Sequence, residues 1–250
     1  MINRIGEPFI ELPSVDSTNI YAMQQAHARL ATPGTVYFAH EQTAGKGQRA
    51  KTWQTEKGKN LIMSAVITPP VPEISRLFLL SAATALACCE YLKSFAGDET
   101  AIKWPNDIYW NDRKAGGILI ENILHGQSWE FAIIGIGLNI NQTIFDRSVP
   151  NPVSLKQITG KNFNIIKMAE GLCDHLNLQI QAIEEGRGNE ILRKYNAALY
   201  KLGKEITLKI AGEKITGMIK EVNESGELIL SGKEERKIVF GTAEWLNKTP

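Results

Sequence analysis

Two long runs of β-branched and apolar residues constrain the fold of this chain more than any other feature. Residues 116–123 and 129–139 are separated only by a short polar stretch around Gly126, so they predict a β-hairpin. Four glycines interrupt the two runs: Gly116, Gly117, Gly135 and Gly137. A glycine inside a strand indicates close approach by a ligand or by another segment of backbone. The hairpin therefore predicts bare backbone where a ligand lies or where packing is tight.

Helix and strand patterns surround this hairpin. Helices are predicted at 19–30, 73–94, 164–184 and 189–199, and further strands at 9–12, 36–41, 60–68, 101–104 and 107–110. After Gly203 the sequence pattern changes and predicts short strands at 205–210, 216–222, 227–230 and 236–240. Strands at such close spacing are typical of a small β-barrel. The chain is therefore predicted to be an α+β domain over residues 1–200, followed by a small β domain over 201–250.

Charge and composition exclude several classes of partner. The 250 residues carry 28 Lys and Arg against 27 Asp and Glu, so there is no global basic field for nucleic acid and any anion site must be local. The start of the chain lacks an apolar signal core, and no apolar run looks long enough to span a bilayer, which predicts a cytoplasmic protein. Cys88 and Cys89 lie in a helical pattern, which favours buried structural thiols over metal or redox chemistry.

A glycine-rich basic segment follows the strand predicted at 36–41. Lys46 stands between Gly45 and Gly47, and Arg49 and Lys51 follow closely. Successive amides in such a turn form a concavity that suits phosphate. The segment matches neither the Walker loop nor the dinucleotide fingerprint. Taken alone, it is either an anion-binding loop or an ordinary surface loop.

Three further clusters combine polar residues with strand ends. In Lys103–Asp107, Pro105 displays Asn106 and Asp107 at a strand entry, where a capped turn is the structural alternative. Lys114 precedes two glycines and could bridge a carboxylate and a phosphate, although a solvated hairpin cation is commoner. Asn139 ends the hairpin, where its amide could meet adenine or phosphate.

A fourth cluster lies near the start of the chain. Ser17, Thr18 and Asn19 begin the first predicted helix. Hydroxyl groups at a helix start can cap the helix, which is the default interpretation, or they can hydrogen-bond a neutral polar ligand.

In their order and spacing, these clusters resemble the biotin–protein ligases. The resemblance covers nearly the whole chain and is most specific in the Lys103–Asp107 run followed by Lys114, Gly116 and Gly117. It implies a mixed β-sheet with helices packed on it, the catalytic fold shared by biotin and lipoate ligases, plus a C-terminal SH3-like barrel. It implies that biotin and ATP form biotinyl-5′-AMP and that a lysine of a biotin carboxyl carrier protein then accepts the biotin. Mg²⁺ would be held mainly by phosphates.

The resemblance also assigns roles to residues. The catalytic residues it implies are Lys114, Asp107 and Arg49, where Asp107 supports either the metal or the incoming lysine. The implied biotin-binding residues are Ser17, Thr18, Asn19, Gln42, Gly45, Lys46, Gly47, Gln48, Lys114, Gly116, Gly117 and Gly135. The implied adenylate-binding residues are Lys46, Arg49, Lys51, Trp53, Lys103, Asn106, Asp107, Lys114 and Asn139. The basic segment would close over the adenylate as a lid.

Two departures from the family pattern are expected to matter. Gln48 and Ala50 stand where arginine and glycine are frequent, which removes a charge near the adenylate and stiffens the loop. No tryptophan lies between Trp129 and Trp245, so Phe145 or an aliphatic surface would cover the adenine.

Other expectations concern partners. The Ser17–Asn19 cluster lies so near the start that a winged helix-turn-helix is not expected before it, which predicts a ligase without DNA binding and without membrane association. The resemblance leaves both a homodimer paired through sheet edges and a monomer open. The alternatives to biotin ligation are a lipoate–protein ligase, a regulator that senses biotinyl-AMP and a binding module without catalysis.

Overall fold

A computed structural model describes residues 4–48, 51–70, 76–126, 128–147, 149–232 and 234–246. Its helices are α1 Thr18–His27, α2 Leu77–Ala96, α3 Leu155–Thr159, α4 Ile165–Glu184 and α5 Gly188–Ala197. The strands of its first sheet are β1 Phe9–Leu12, β2 Val36–Ala39, β3 Leu61–Ile67, β4 Thr100–Lys103, β5 Asp107–Trp110, β6 Arg113–His125 and β7 Ser128–Leu138. Those of its second sheet are β8 Glu205–Ile210, β9 Glu213–Val222, β10 Leu228–Ser231, β11 Arg236–Ile238 and β12 Ala243–Trp245.

The first sheet is mixed, as predicted. Its strand order is β1-β2-β3-β7-β6-β5-β4, with β1 parallel to β2 and the remaining neighbours antiparallel. The predicted hairpin is confirmed as β6 and β7, the two longest strands, and it lies inside the sheet. Because β3 and β5 flank the hairpin, its glycines are held in a fixed register at the middle of the domain.

Helices cover both faces of this sheet. On one face, α2 packs against α4 and α5 over the main hydrophobic core, which Leu86, Ile108 and Leu172 help to fill. On the other face, α1 packs on the sheet over a smaller cluster that includes Ala22 and Val66. The side chain of Asn164 accepts hydrogen bonds from the first amides of α4 and so fixes its start.

Helix α2 corrects one expectation drawn from the sequence. Among the described residues it is the one helix long and apolar enough, by length and composition, to cross a membrane. Most of it lies buried in the protein, with residues such as Leu80, Ala83 and Cys88 inaccessible to solvent. Its apolar surface is therefore accounted for by packing against the sheet and the other helices.

The second sheet confirms a small β unit after Gly203, with strand order β11-β10-β9-β8-β12. It is tied firmly to the first unit. Asn196 of α5 exchanges two hydrogen bonds with the backbone of Val222, and Trp104 donates from Nε1 to the Gly226 carbonyl oxygen at 3.0 Å. These contacts hold the second sheet beside the Lys103–Asp107 cluster.

Two elements were not predicted. Helix α3 is five residues long and is fixed by a capping box between Ser154 and Gln157. Strand β12 has three residues and pairs with β8, with Trp245 opposite Leu208. Elements this short carry too few residues for a hydrophobic period to be visible.

Candidate active site

A cavity of about 820 Å³ lies over strands β5, β6 and β7, between the glycine-rich segment and the second sheet. Most of the predicted site residues line it: Ser17, Thr18, Asn19, Gln42, Lys46, Gly47, Gln48, Lys51, Trp53, Lys103, Asn106, Asp107, Lys114, Gly117, Gly135 and Asn139. Two predicted residues, Gly45 and Gly116, are not part of its lining. Arg49 and Ala50 lie outside the described residues. Phe145, Val149 and Pro150 form an apolar part of the wall.

The strand glycines divide between the two faces of the sheet. Gly117 is paired with Gly137 across β6 and β7, and both line the cavity, where they leave a patch of bare backbone. Gly116 faces the opposite side, where a Cβ atom would overlap the Leu138 side chain and approach the Gly137 carbonyl oxygen to 2.9 Å. Gly116 therefore serves close packing in the core, because neighbouring residues of a strand face opposite sides.

The indole of Trp53 rests on the bare patch. A Cβ atom at Gly137 would lie 2.6 Å from Trp53 Nε1, and one at Gly117 would lie 3.4 Å from the ring. Trp53 Nε1 is buried and has no hydrogen-bond partner within the part of the chain that the structure describes. A ligand that uses this patch must therefore stack on the indole or replace it.

One end of the cavity is uncharged, and we call Thr18, Asn19, Gln42 and Ser64 the neutral end. Asn19 lies against Gly135, which has no room for a side chain because the Asn19 carboxamide occupies that face. Asn19 donates from Nδ2 to the Leu119 carbonyl oxygen and to Glu121, and its Oδ1 accepts from Ser64 Oγ at 2.6 Å. Both hydrogens of the Asn19 amide group thus have partners within the protein, and contact of Asn19 with biotin stays a prediction.

The hydrogens of the neutral end can be assigned. Asn19 Oδ1 can only accept, so the single hydroxyl hydrogen of Ser64 is committed to it. Thr18 Oγ1 lies 2.8 Å from Ser64 Oγ and 3.1 Å from Gln42 Oε1, so its hydrogen is used within the protein. The Thr18 amide donates to Gln42 Oε1 at 2.7 Å, so Gln42 Nε2 is a donor without a hydrogen-bond partner among the described residues. Thr18 thus offers an acceptor and Gln42 a donor.

The opposite end, which we call the cationic end, contains Lys103, Asp107 and Lys114. Lys114 Nζ lies 2.6 Å from Asp107 Oδ1, and each side chain is about a quarter exposed, at 23% and 24%. Lys114 also lies 5.7 Å from the centre of a Trp53 ring. A cation next to the bare patch suits a ligand whose negative charge develops there.

A β-bulge aims Lys114 at the cavity. Asp107 pairs with Gly117 and Tyr109 pairs with Lys114, so Ala115 is an extra residue in β6. In a regular strand, Lys114 would face the side opposite to Gly117, since they are three residues apart. The extra residue brings both to the same face, where Lys114 Nζ would lie 3.5 Å from a Cβ atom at Gly117.

Two predicted amides line the cavity and also donate to backbone from their nitrogen atoms. Asn139 donates from Nδ2 toward the carbonyl oxygens of Lys114 and Val153, at 3.3 and 3.2 Å. Asn106 donates from Nδ2 to the Ile118 carbonyl oxygen. Both side chains thus help to hold β6 in place, and their contact with the adenylate stays a prediction.

Lys103 differs sharply from Lys114. It is only 7% exposed, donates from Nζ to the Tyr109 hydroxyl at 3.0 Å, and lies over the rings of Tyr109 and Trp245 at 4.6 and 4.9 Å from their centres. Burial lowers the pKa of Lys103 to about 8. Burial also raises the pKa of Tyr109, which keeps its hydroxyl neutral.

The glycine-rich segment folds back on itself beside the cavity. Lys46 and Thr52 form an isolated antiparallel bridge, and the Gly47 amide donates to the Lys51 carbonyl oxygen at 2.7 Å. Gly45 is buried, and a Cβ atom there would overlap the Trp53 carbonyl oxygen. Gly45 thus permits a close approach of two backbone segments, while Lys46 and Lys51 face solvent at the rim.

Sequence reasoning missed two residues that shape this site. Ser64 is the one polar residue in the buried strand β3, and an isolated hydroxyl in an apolar run was the available signal. Trp245 lies in the short strand β12, whose approach to Lys103 depends on the packing of the second sheet. A further expectation changed as well: Ser17 stands at the start of α1 but makes no capping hydrogen bond with its side chain.

The geometry places a neutral polar end, a bare backbone patch and paired cationic and acidic groups in one cavity on a mixed sheet. Residues 11–139 match the model of the family described as "Biotin/lipoate A/B protein ligase family". The class that fold and site define is therefore a ligase. Since the match covers more than half of its length, the chain belongs to the biotin/lipoate A/B protein ligase family.

Similar proteins agree with this placement. The "Bifunctional ligase/repressor BirA" of Bacillus spizizenii is 35% identical over 138 residues, which is 55% of this chain and 42% of that protein. The matched region thus spans less than half the length of that relative. The "Biotin--[acetyl-CoA-carboxylase] ligase" of Paracoccus denitrificans is 27% identical over 91% of this chain and 96% of its own length. A solved biotin protein ligase from Aquifex aeolicus, in complex with biotin and ATP, has a TM-score of 0.82 at 25% identity, covering 95% of this chain and 98% of that one.

Proposed function

We propose that this chain is an ATP-dependent biotin–protein ligase. Biotin and ATP would give biotinyl-5′-AMP and pyrophosphate, and the ε-amine of a lysine on a biotin carboxyl carrier domain would then displace AMP to form an amide. The proposal is supported by family membership, by the biotin and ATP present in the similar Aquifex aeolicus structure, and by the arrangement of the two ends of the cavity.

The observation that carries the choice of biotin is the polarity of the neutral end. Thr18 offers an acceptor and Gln42 a donor, fixed by the hydrogen bonds around Ser64. The ureido ring of biotin has N–H donors and a carbonyl acceptor, so it complements both. The dithiolane ring of lipoate has neither, and it would leave these groups unpaired at a cost of about 1–3 kcal/mol each. The neutral end therefore favours biotin over lipoate.

In the first step, the carboxylate of biotin attacks the α-phosphorus of ATP, and the bond from that phosphorus to the bridging oxygen breaks. Lys114 is the residue we assign to both anions, because its ammonium group lies at the bare patch beside Asp107. Lys103 and the rim residues Lys46 and Lys51 would contact phosphates, as would Arg49. Gathering cations where negative charge accumulates lowers the barrier.

In the second step, the incoming lysine amine attacks the carbonyl carbon of the mixed anhydride and AMP leaves. The amine must be neutral to attack, and its proton must leave. Asp107 is the carboxylate at the cationic end, and we assign it to the incoming lysine. The anhydride hydrolyses in water, so the segment 45–51 and Trp53 would shield it.

Mg²⁺ would be held by the nucleotide rather than by a protein cluster. Among the residues that the structure describes, no group of three or more His, Cys, Asp or Glu could hold a metal ion. Mg²⁺ bound through phosphate oxygens supplies neutralisation of the triphosphate charge. The residues fit that arrangement, since cations rather than carboxylates dominate this end of the cavity.

Several finer assignments belong to this proposal. The boundary near residue 200, the SH3-like nature of the second sheet and the cytoplasmic location are part of it. The proposal also includes that the chain binds neither DNA nor membranes, and it leaves a monomer and a homodimer as alternatives. Phe145 and its neighbours Val149 and Pro150 supply the apolar wall that we assign to the adenine.

Mass spectrometry tests the proposed function directly. The full chain is incubated with a biotin carboxyl carrier domain, ATP, Mg²⁺ and biotin, and a parallel reaction contains lipoate and a lipoyl carrier domain. We expect the carrier to gain one biotinyl group only when ATP is present, and no gain with lipoate. Attachment of lipoate alone would show that the chain is the other kind of ligase, and no attachment of either would overturn the proposal.

A further inference from the structure

Lys103 is a buried cation that uses one of its three hydrogen-bond donors among the described residues. It lines the cavity, and its ammonium group makes one hydrogen bond among the described residues, to the Tyr109 hydroxyl. No carboxylate within the described ranges lies within ion-pair distance of it. An ammonium group has three hydrogens, so two remain for a partner. Buried charges are normally paired, so Lys103 is held ready for an anion in the cavity.

Aromatic rings from both structural units enclose this ammonium group. Tyr109 belongs to β5, whereas Trp245 belongs to β12 of the second sheet, and the two rings lie 4.6 and 4.9 Å from Lys103 Nζ. Tyr200 connects them, with its ring centre 5.1 Å from that of Tyr109 and 6.0 Å from that of Trp245. Trp245 is itself fixed by the hydrogen bond from its Nε1 to the Trp104 carbonyl oxygen.

We infer that Trp245 is a positioning residue for Lys103, so that the second sheet completes the phosphate-binding part of the cavity. The inference rests on the proposed function, because it takes the anion to be the triphosphate of ATP. Trp245 would not touch the reacting atoms. It would act by holding the Lys103 ammonium group at the cavity wall.

An aromatic ring is better suited to this task than a carboxylate. A lysine side chain is flexible and must be restrained to contact a phosphate in one geometry. A carboxylate partner would restrain it but would also neutralise it and compete with the phosphate. A ring face attracts the cation while leaving its charge and two of its hydrogens for the ligand. At Lys114 the restraint is the Asp107 carboxylate, which must give way when an anion binds.

The titration of Lys103 offers a readout that separates positioning from mere folding. Burial lowers its pKa to about 8, so the charge is lost as the pH rises through 8. The charged and titratable groups that face it are Asp107, which raises the pKa, then Lys114, Lys201 and Lys51, which lower it, and the neutral Tyr109. Removing the Trp245 ring takes away its attraction for the cation, which lowers the pKa, but also lets water reach the ammonium group, which raises it. Because burial is the largest cause of the shift, we expect the pKa to rise toward that of a free lysine.

The experiment uses the full chain with ¹³Cε-labelled lysine, the Lys103 signal being identified by its absence in Lys103→Met. Wild type, Trp245→Leu, Trp245→Phe and Phe240→Leu are titrated by NMR, and the KM for ATP and the kcat of biotin-dependent pyrophosphate release are measured from pH 6.5 to 9.5. Phe240→Leu is the matched control, because Phe240 packs edge-on against Trp104 from the same unit without contacting Lys103.

We expect Trp245→Leu to raise the Lys103 pKa by about one unit and the KM for ATP by about 10-fold at neutral pH, with kcat within about 2-fold. Trp245→Phe keeps a ring but loses the indole hydrogen bond, and should match wild type as Phe240→Leu does. An unchanged Lys103 pKa in Trp245→Leu would overturn the positioning role. A shifted pKa with an unchanged KM would overturn the link to phosphate. A wild-type chain that releases no pyrophosphate would refute the proposed function, while the NMR titration would still decide whether Trp245 positions Lys103.

Discussion

The two ends of the cavity recognise a ligand by opposite means. The neutral end is a closed set of hydrogen bonds around Ser64, in which donors and acceptors are nearly all assigned within the protein. The cationic end holds a buried ammonium group with hydrogens to spare. The neutral end is built within one structural unit, and the cationic end needs both. Recognition of a ligand by its shape and polarity therefore needs only the first structural unit, whereas binding of its negative charge depends on contacts between the two units.

The largest expected effect is at the cationic end. Replacing Lys114 with alanine removes the ammonium group shared by carboxylate and phosphate, and should slow formation of biotinyl-AMP by about 10³-fold or more. The measurement is pyrophosphate release with saturating biotin and ATP. Lys93→Ala removes a lysine whose partner Asp98 lies on the surface, and should be indistinguishable from wild type. A Lys114→Ala protein that forms the adenylate at the normal rate would contradict the assignment.

A smaller effect is expected at the neutral end. Ser64→Ala leaves Asn19 Oδ1 without its donor and frees the Thr18 hydroxyl to reorient, so the Kd for biotin should rise about 10-fold. Binding of ATP alone should not change, which isothermal titration can show. Thr84→Ala removes an equally buried hydroxyl that bonds only within its own helix, and serves as the control. Equal weakening of both ligands would mean that Ser64 supports the fold rather than the neutral end.

The smallest effect concerns stability. Lys103→Met removes a buried charge whose pKa is lowered to about 8 from 10.5. In wild type the cost of that charge is fully present below pH 8 and disappears as the pH rises toward 10.5, because the unfolded chain then binds more protons. When the loss of the hydrogen bond to Tyr109 is included, the free energy of unfolding of the variant should be about 1 kcal/mol higher than that of wild type at pH 7, which raises the Tm by roughly 2–4 °C. Thermal unfolding at pH 7 and pH 9.5 checks it: the gain should shrink at the higher pH, and a constant gain would argue against a buried charge.

Much of the sheet was predictable, because its strands carry their own patterns. β1, β5 and β8 have the predicted bounds. In the hairpin, β6 begins three residues earlier than predicted, both strands extend toward the turn, and β7 ends one residue earlier. Helices α1 and α2 begin or end a few residues away from their predicted limits, since tertiary contacts rather than local preference decide where they stop.

The positions of the strand glycines already indicate which of them can face a ligand. Gly116 and Gly117 are adjacent on one strand, so they must face opposite sides, and at most one could meet a ligand. The structure assigns Gly117 to the cavity and Gly116 to the core. Gly135 and Gly137 are two residues apart and share a face, so alternation separates only Gly116 from Gly117.

Other assignments could not be made from sequence. Asn106 and Asn139 lie at strand ends, where amides are suited to ligands, but their partners are the carbonyl oxygens of Ile118 and Val153. These partners are 12 and 14 residues distant and become neighbours only in the folded sheet. The contact between Lys103 and Trp245 joins residues far apart in the sequence, and no local pattern signals it.

The bulge at Ala115 has a consequence for how this site tolerates change in length. The extra residue decides which face of the sheet Lys114 occupies: with it Lys114 faces the cavity, and without it Lys114 would face the core. Deleting or inserting a single residue between Lys114 and Gly116 would move the Lys114 side chain to the opposite face of the sheet, although no side chain of the site would be replaced. A change of two residues would keep it on the cavity face. A shift of one position in this segment should therefore abolish activity even where the protein still folds, because it turns the Lys114 ammonium group away from the cavity.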